Sequence, residues 1–353
     1  MEGSEFLSWD SNPLLVPTGE KPLFGSITAP EFIISENTPD IHLNLDTLLD
    51  ENIYDQSAFN STDLHEALKF SDQVEQWSAG LQSHVDYDTT RTSELTTFGL
   101  DLAGVRHFGA SLSPEIAFSP TSVDKFSLIG TAAMARYDNS AFTDYDLFTI
   151  SPTYSHNFNP LNTGTLSLEG QRYQTASGPG QATDSLGPAL GWISALTPTL
   201  KVQLEAGVQK SEQSGNISTS SDSNWDYIFS ADLGYTGEQD TTHLVASRSQ
   251  YPFANGTETL LTSFAATEVH TLNPDFALNL AGSYQLADDI PVSGINLDYQ
   301  ASASVGLTYH LYEHLDVTSS YQYKDESLTN VSSTIRENVV MFGLTYHPAM
   351  KAL

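Results

Sequence analysis

Between Phe276 and Leu286 the chain alternates. Phe276, Leu278, Leu280, Gly282, Tyr284 and Leu286 fall on one side, and Ala277, Asn279, Ala281, Ser283 and Gln285 on the other. A period of two is the repeat of a β-strand, not of a helix. The run also exceeds the roughly five or six residues of a strand in a soluble domain. One apolar side ending in tyrosine and one small polar side is the pattern of a strand in a membrane β-barrel, with lipid outside and water inside.

The same rhythm recurs from residue 41 onward. It predicts strands in the regions of 41–50, 64–70 (a short strand or a helical turn), 77–87, 106–118, 125–137, 147–158, 165–173, 186–192, 200–208, 225–235, 242–250, 259–272, 276–286, 297–309, 315–324 and 340–346. The expected fold is all-β: a transmembrane, antiparallel, up-and-down barrel of about 16 strands, with a range of about 14–18. Residues 1–40, rich in Pro, Gly, Ser and Glu, read as an irregular extension. Residues 41–348 read as the barrel and 349–353 as a tail. Tight connections such as NPLN, LTPT, GEQD, NPD and YEH alternate with longer polar ones. Outer-membrane barrels alternate short periplasmic turns with long external loops in this way. Trp77, Tyr87, Trp192, Trp225, Tyr235, Tyr284, Tyr309 and Tyr346 sit near strand ends. Ordinary β-propensity favours these residues too, but their position at the ends points to two interfacial girdles. A soluble sandwich or propeller would require neither this loop rhythm nor strands of this length.

Composition fits a barrel. The chain has 353 residues, 39% hydrophobic, with a mean hydropathy of −0.24. No apolar run approaches the ~18 residues of a transmembrane helix. Charged residues make up 16%, against the roughly 25% usual in soluble domains. The formal charge of −31 disfavours nucleic acid and anionic head groups, and favours cations or neutral chains such as sugars. Acidity that merely solvates loops is the plainer account. The absence of cysteine excludes disulfides and thiolate chemistry. No basic segment followed by an apolar one is visible in residues 1–26, so the signal peptide a secreted barrel requires is not seen in this sequence.

The inward faces hold the one site-like pattern: Glu169, Gln171, Lys201, Gln203, Glu205, Asp226, Asp232, Asn279, Gln285, Asp298, Gln300, Asp316, Gln322 and Lys324. Carboxylates lining a pore concentrate cations, and amides hydrogen-bond sugar hydroxyls. The alternative is that these groups pair across strands and fill the barrel. Other chemistry lacks support. GPGQATDS at Gly178 has no phosphate-loop lysine, and no G-x-S-x-G elbow occurs. His310 and His314 share a metal-like spacing, but it spans a turn, and they read as solvated rim histidines. Neither an enzymatic centre, a cofactor nor a metal is expected.

DYDTTRTSELTTFGLDL, SLSPEIAF and ARYDNSAFTDYDLFTISPTYSHNF, followed by DSLGPALGWISALTPTLKVQLEAGVQKSE and RENVVMFGLTYHP, carry a resemblance. From Ile41 to Pro348 the chain resembles the outer-membrane β-barrel porins found in bacterial exopolysaccharide loci. That resemblance implies a passive outer-membrane conduit, set in outer-membrane lipid, for a polysaccharide chain handed on by a periplasmic polysaccharide-export protein. The alternative is a closed barrel acting as a surface scaffold or adhesin, whose long acidic loops such as Ser211 to Asn224 bind a partner or matrix polymer.

Overall fold

A computed structural model describes residues 2–18, 21–93, 104–176, 181–214, 223–253, 256, 258–288, 297–328 and 334–348. Eighteen strands run in chain order. They are β1 (Glu2–Asp10), β2 (Leu23–Asn37), β3 (Ile41–Tyr54), β4 (Ser61–Val74), β5 (Trp77–Thr89) and β6 (Arg106–Phe118). Next come β7 (Asp124–Tyr137), β8 (Tyr145–Asn159), β9 (Asn162–Thr175), β10 (Ala182–Ala195), β11 (Leu200–Ser214) and β12 (Ser223–Thr236). The last six are β13 (Asp240–Pro252), β14 (Glu258–Asn273), β15 (Phe276–Ala287), β16 (Leu297–Tyr312), β17 (Leu315–Leu328) and β18 (Ile335–Tyr346). A short helix, α1 (Thr90–Ser93), follows β5. Each strand pairs antiparallel with its sequence neighbours, and β1 pairs with β18. Closure leaves no unpaired edge, the condition for crossing lipid with strands.

The alternation sorts the side chains. Leu7, Phe32, Ile34, Phe148, Ile150, Leu190, Leu204, Leu280 and Phe342 point outward and are 39–67% exposed in the isolated protein. Soluble proteins bury such residues, and here only lipid can cover them. Trp77, Trp192, Tyr235 and Tyr346 stand near the short turns, and Tyr87, Trp225 and Tyr284 toward the long connections, all exposed. The two aromatic tiers mark the two faces of an apolar belt. Beyond the belt at the long-loop end lie ion pairs, Arg172 with Asp184, Lys210 with Glu212, Arg248 with Asp288 and Arg336 with Asp325. The chain is an outer-membrane β-barrel, with short turns toward the periplasm by the usual rule.

Residues 1–40 are not an irregular extension. They hold β1 and β2, which complete the wall and close it against β18. These two strands account for the difference between about 16 and 18. Pro30 obscures β2, because a proline cannot donate to a strand ladder. The cost is local. At Pro30, Pro114, Pro152 and Pro188 pairing lapses toward one neighbour, resumes in the same register, and is kept toward the other.

Two glycines serve the interior. The Tyr54 ring lies over Gly25 and the Phe6 ring over Gly343, where a Cβ would collide with them. Gly25→Val should push Tyr54 aside and cost about 1–3 kcal/mol through overpacking, read as a lower unfolding temperature in detergent.

At the seam His347, just after β18, meets Glu2 at 3.1 Å and Asp316 at 3.2 Å. The hydrogen bond to Glu2, aided by Asp316, raises its pKa above the usual histidine value despite opposing desolvation. A raised folded pKa gives stability that is full below the unfolded value of about 6.5 and lost as pH climbs through the higher folded one. Melting temperature should therefore fall across that window, and His347→Ala should flatten the fall. An unchanged slope would show that the seam contact adds nothing.

Candidate functional site

The interior is wide at the short-turn end and narrows toward the long loops. On β11 the inward residues Lys201 and Gln203 are exposed, whereas Gln209 and Ser211, further along the same face, are buried at 2% and 8%. The narrowing has a cause: several connections fold back into the mouth. Leu15, between β1 and β2, packs against Leu297, Leu328 and Ile335. Phe253, after β13, packs on Leu261. Tyr54, Leu23 and Phe59 form a third apolar cluster. These clusters lie at the long-loop end, so the mouth, unlike the polar lumen, is held by hydrophobic burial.

Polar groups lock the same constriction. Gln250, near the end of β13, reaches Ser185 on β10 at 2.5 Å and Ser211 on β11. Glu258, at the start of β14, meets Gln171 on β9. From α1, Arg91 donates to Asp10 at 2.9 Å and to the Tyr54 hydroxyl at 3.0 Å, with its guanidinium 5.2 Å from the Tyr54 ring centre. Asp10 also sits beside Glu337, which pairs with Lys324 at 2.8 Å. Gln300 donates to Glu326 at 2.9 Å. A cavity of about 260 Å³ is lined by Asp10, Asp50, Asp63, Arg91, Lys324 and Glu337 among others.

The inner wall is strongly acidic. Asp10, Asp46, Asp50, Asp63, Asp86, Asp88, Glu169, Glu205, Asp226, Asp232, Glu258, Asp316, Glu326 and Glu337 lie on it. Its cations among the described residues include Lys69, Arg91, Lys125, Lys201 and Lys324, and the Arg106 guanidinium reaches Asp63 from β6. Like charges on a narrow wall add up to a field that attracts the opposite ion.

The structure separates the residues expected to line the lumen. Glu169 and Gln171 on β9, Lys201, Gln203 and Glu205 on β11, and Asp226 and Asp232 on β12 occupy the inner face. So do Asn279 and Gln285 on β15, Gln300 on β16, and Asp316, Gln322 and Lys324 on β17. Many are tied to neighbours: Asn279 donates to Thr308 at 3.2 Å, and His243 lies 2.7 Å from Asp232. Asp298 lies at an irregularity of the ladder. The register shifts between Leu297 and Tyr299, which turns Leu297 into the core and leaves Asp298 exposed. Simple alternation cannot foresee such a bulge. His310 lies 2.7 Å from Asp316. Of the expected loop Ser211 to Asn224, positions 215–222 lie outside the described residues, as does the tail 349–353.

Sequence reasoning missed the mouth. Asp10 fell in the supposed extension, Arg91 in a supposed loop, and Glu326 at the start of another. A signal existed in His84-Val-Asp86-Tyr-Asp88, where one parity carries only groups that titrate.

No protein-family profile and no curated protein matches the chain. Among solved structures, the fold is similar to Pseudomonas aeruginosa OccK3 (OpdO), with a TM-score of 0.52 and 8% identity over 98% of this chain and 94% of that one. It is likewise similar to Pseudomonas aeruginosa OccK2 (OpdF), with a TM-score of 0.51 and 9% identity over 98% and 96%. At such identities the likeness is one of fold.

Proposed function

We propose that the protein is a passive outer-membrane channel for small hydrophilic solutes, preferring cations and neutral molecules to anions, and not an enzyme. The observation that carries this reading is the narrowed, carboxylate-rich mouth above a wide polar vestibule. A barrel of this strand number leaves an aqueous bore. Narrowing brings a solute to a cavity where Asp10, Asp50, Asp63 and Glu337 outnumber the cations Arg91 and Lys324, and an excess of acid selects by charge. Passage needs contacts weak and repeated enough for release, and the side-chain amides of Gln82, Gln203, Asn279 and Gln322 supply them.

The test is a planar-bilayer recording under a potassium chloride gradient. A reversal potential of the sign that reports cation preference is expected. Absence of conductance, or anion preference, would sink the reading.

A second reading is export of a polysaccharide passed on by a periplasmic export protein. The width and amide content of the vestibule favour it, whereas the inward-folded connections must move for a polymer to pass. Dextrans of graded size, added from each side, separate the two. A polymer conduit admits chains that emerge across the bilayer, while a small-solute channel admits them to the vestibule only.

A further inference from the structure

We propose that the inner wall formed by β4, β5 and β6 holds a site for a borderline divalent metal ion such as Zn²⁺, built on His65, Asp86 and Asp88. The pleat creates the cluster. His65 is inward on β4, His84, Asp86 and Asp88 on β5, and His107 on β6, and register places His65 opposite Asp86 and His107 opposite Asp88. His65, Asp86 and Asp88 each offer a ligand atom, and these atoms lie within 4.8 Å of one another. Ligand atoms around a tetrahedral ion with bonds of ~2.0–2.1 Å stand roughly 3.3 Å apart, so small side-chain rotations complete the set.

Three further observations point to a cation. First, the ion pairs of Asp50, Asp86 and Asp88 among the described residues are all with imidazoles. Asp63, the acid nearby that does hold a guanidinium, takes Arg106 for itself. Among the described residues, then, none of Asp50, Asp86 and Asp88 is ion-paired with a lysine or arginine. Second, the surrounding contacts are those of ligand-orienting groups. His107 Nδ1 stands 2.8 Å from Asp88, and His84 Nε2 stands 2.8 Å from Asp86. Such carboxylate–imidazole pairs fix ring orientation and ligand basicity around metals. Third, His65 Nδ1 is 2.6 Å from Asp86, while its Nε2 is 3.9 Å from Asp50. That longer gap is too wide for a hydrogen bond, so Asp50 adds negative charge beside the ring without being bonded to it. Imidazole and carboxylate donors without thiolate favour zinc, nickel or cobalt over magnesium, which keeps oxygen ligands and water.

The site does not depend on conduction, so binding is measured directly. A second group, Asp240, Glu268 and His270, also approaches ligand spacing, and the experiment is therefore run in the His270→Gln background. Calorimetry of the full barrel in detergent should show zinc uptake that His65→Gln, Asp86→Asn and Asp88→Asn each weaken by more than about tenfold. His107→Gln, which only orients Asp88, should weaken it by ~10-fold. Cobalt in place of zinc should give the visible absorption of a low-coordinate ion, lost in His65→Gln. The isosteric variants are checked by heat-modifiable migration, and any one that folds suffices. Zinc uptake indistinguishable between the background protein and a folded variant would overturn the proposal, as would no uptake at all.

Discussion

Lys324→Met is expected to destabilise the barrel by about 3–5 kcal/mol, the usual cost of stripping one partner from a buried ion pair. Lys324 and Glu337 side chains are only 11% and 2% exposed, and their charges stand 2.8 Å apart. Glu326 and Asp10, also buried, share the neighbourhood. Without the ammonium, Glu337 must stay charged and unpaired or take up a proton, and either state costs free energy. Lys324→Met/Glu337→Gln should regain most of the loss, because the second change removes the stranded charge. Urea unfolding of both variants in detergent reads the difference. If the double variant were no more stable than the single one, the pair would not be the source of the effect.

Arg91→Ala should open the mouth. The arginine joins α1 to β1 through Asp10 and to β3 through Tyr54. Removing it leaves Asp10 without its guanidinium and frees α1 to swing from the bore. Single-channel conductance should rise, and stability should fall by ~3 kcal/mol. Arg91→Lys should restore little, since an ammonium cannot span the carboxylate and stack on the phenol ring as a guanidinium does. Conductance equal to that of the parent protein in both variants would place the limiting constriction elsewhere.

The two effects are linked. Arg91, Asp10, Glu337 and Lys324 form one connected row of charges, in which the neighbouring acids Asp10 and Glu337 are flanked by one cation each. Asp10 stands at its centre, at the end of the strand that closes the barrel.

Much of this was legible along the chain. The period of two from residue 41 onward, the aromatic ends and the alternating loop lengths specified an outer-membrane barrel. They also assigned the faces of strands such as β11, β15 and β17, because a pleated strand between lipid and water leaves each residue a choice of only two sides. What the period could not reach was any departure from it. Pro30 hid β2, and a bulge put Leu297 into a buried cluster beside Asp298. The mouth was invisible for a deeper reason. Arg91 meets Asp10, and Gln250 meets Ser185 and Ser211, through contacts between strands that are distant in sequence or not adjacent in the sheet. Local pattern records which face a side chain takes. Only closure of the sheet and the folding-back of loops decide what it meets there.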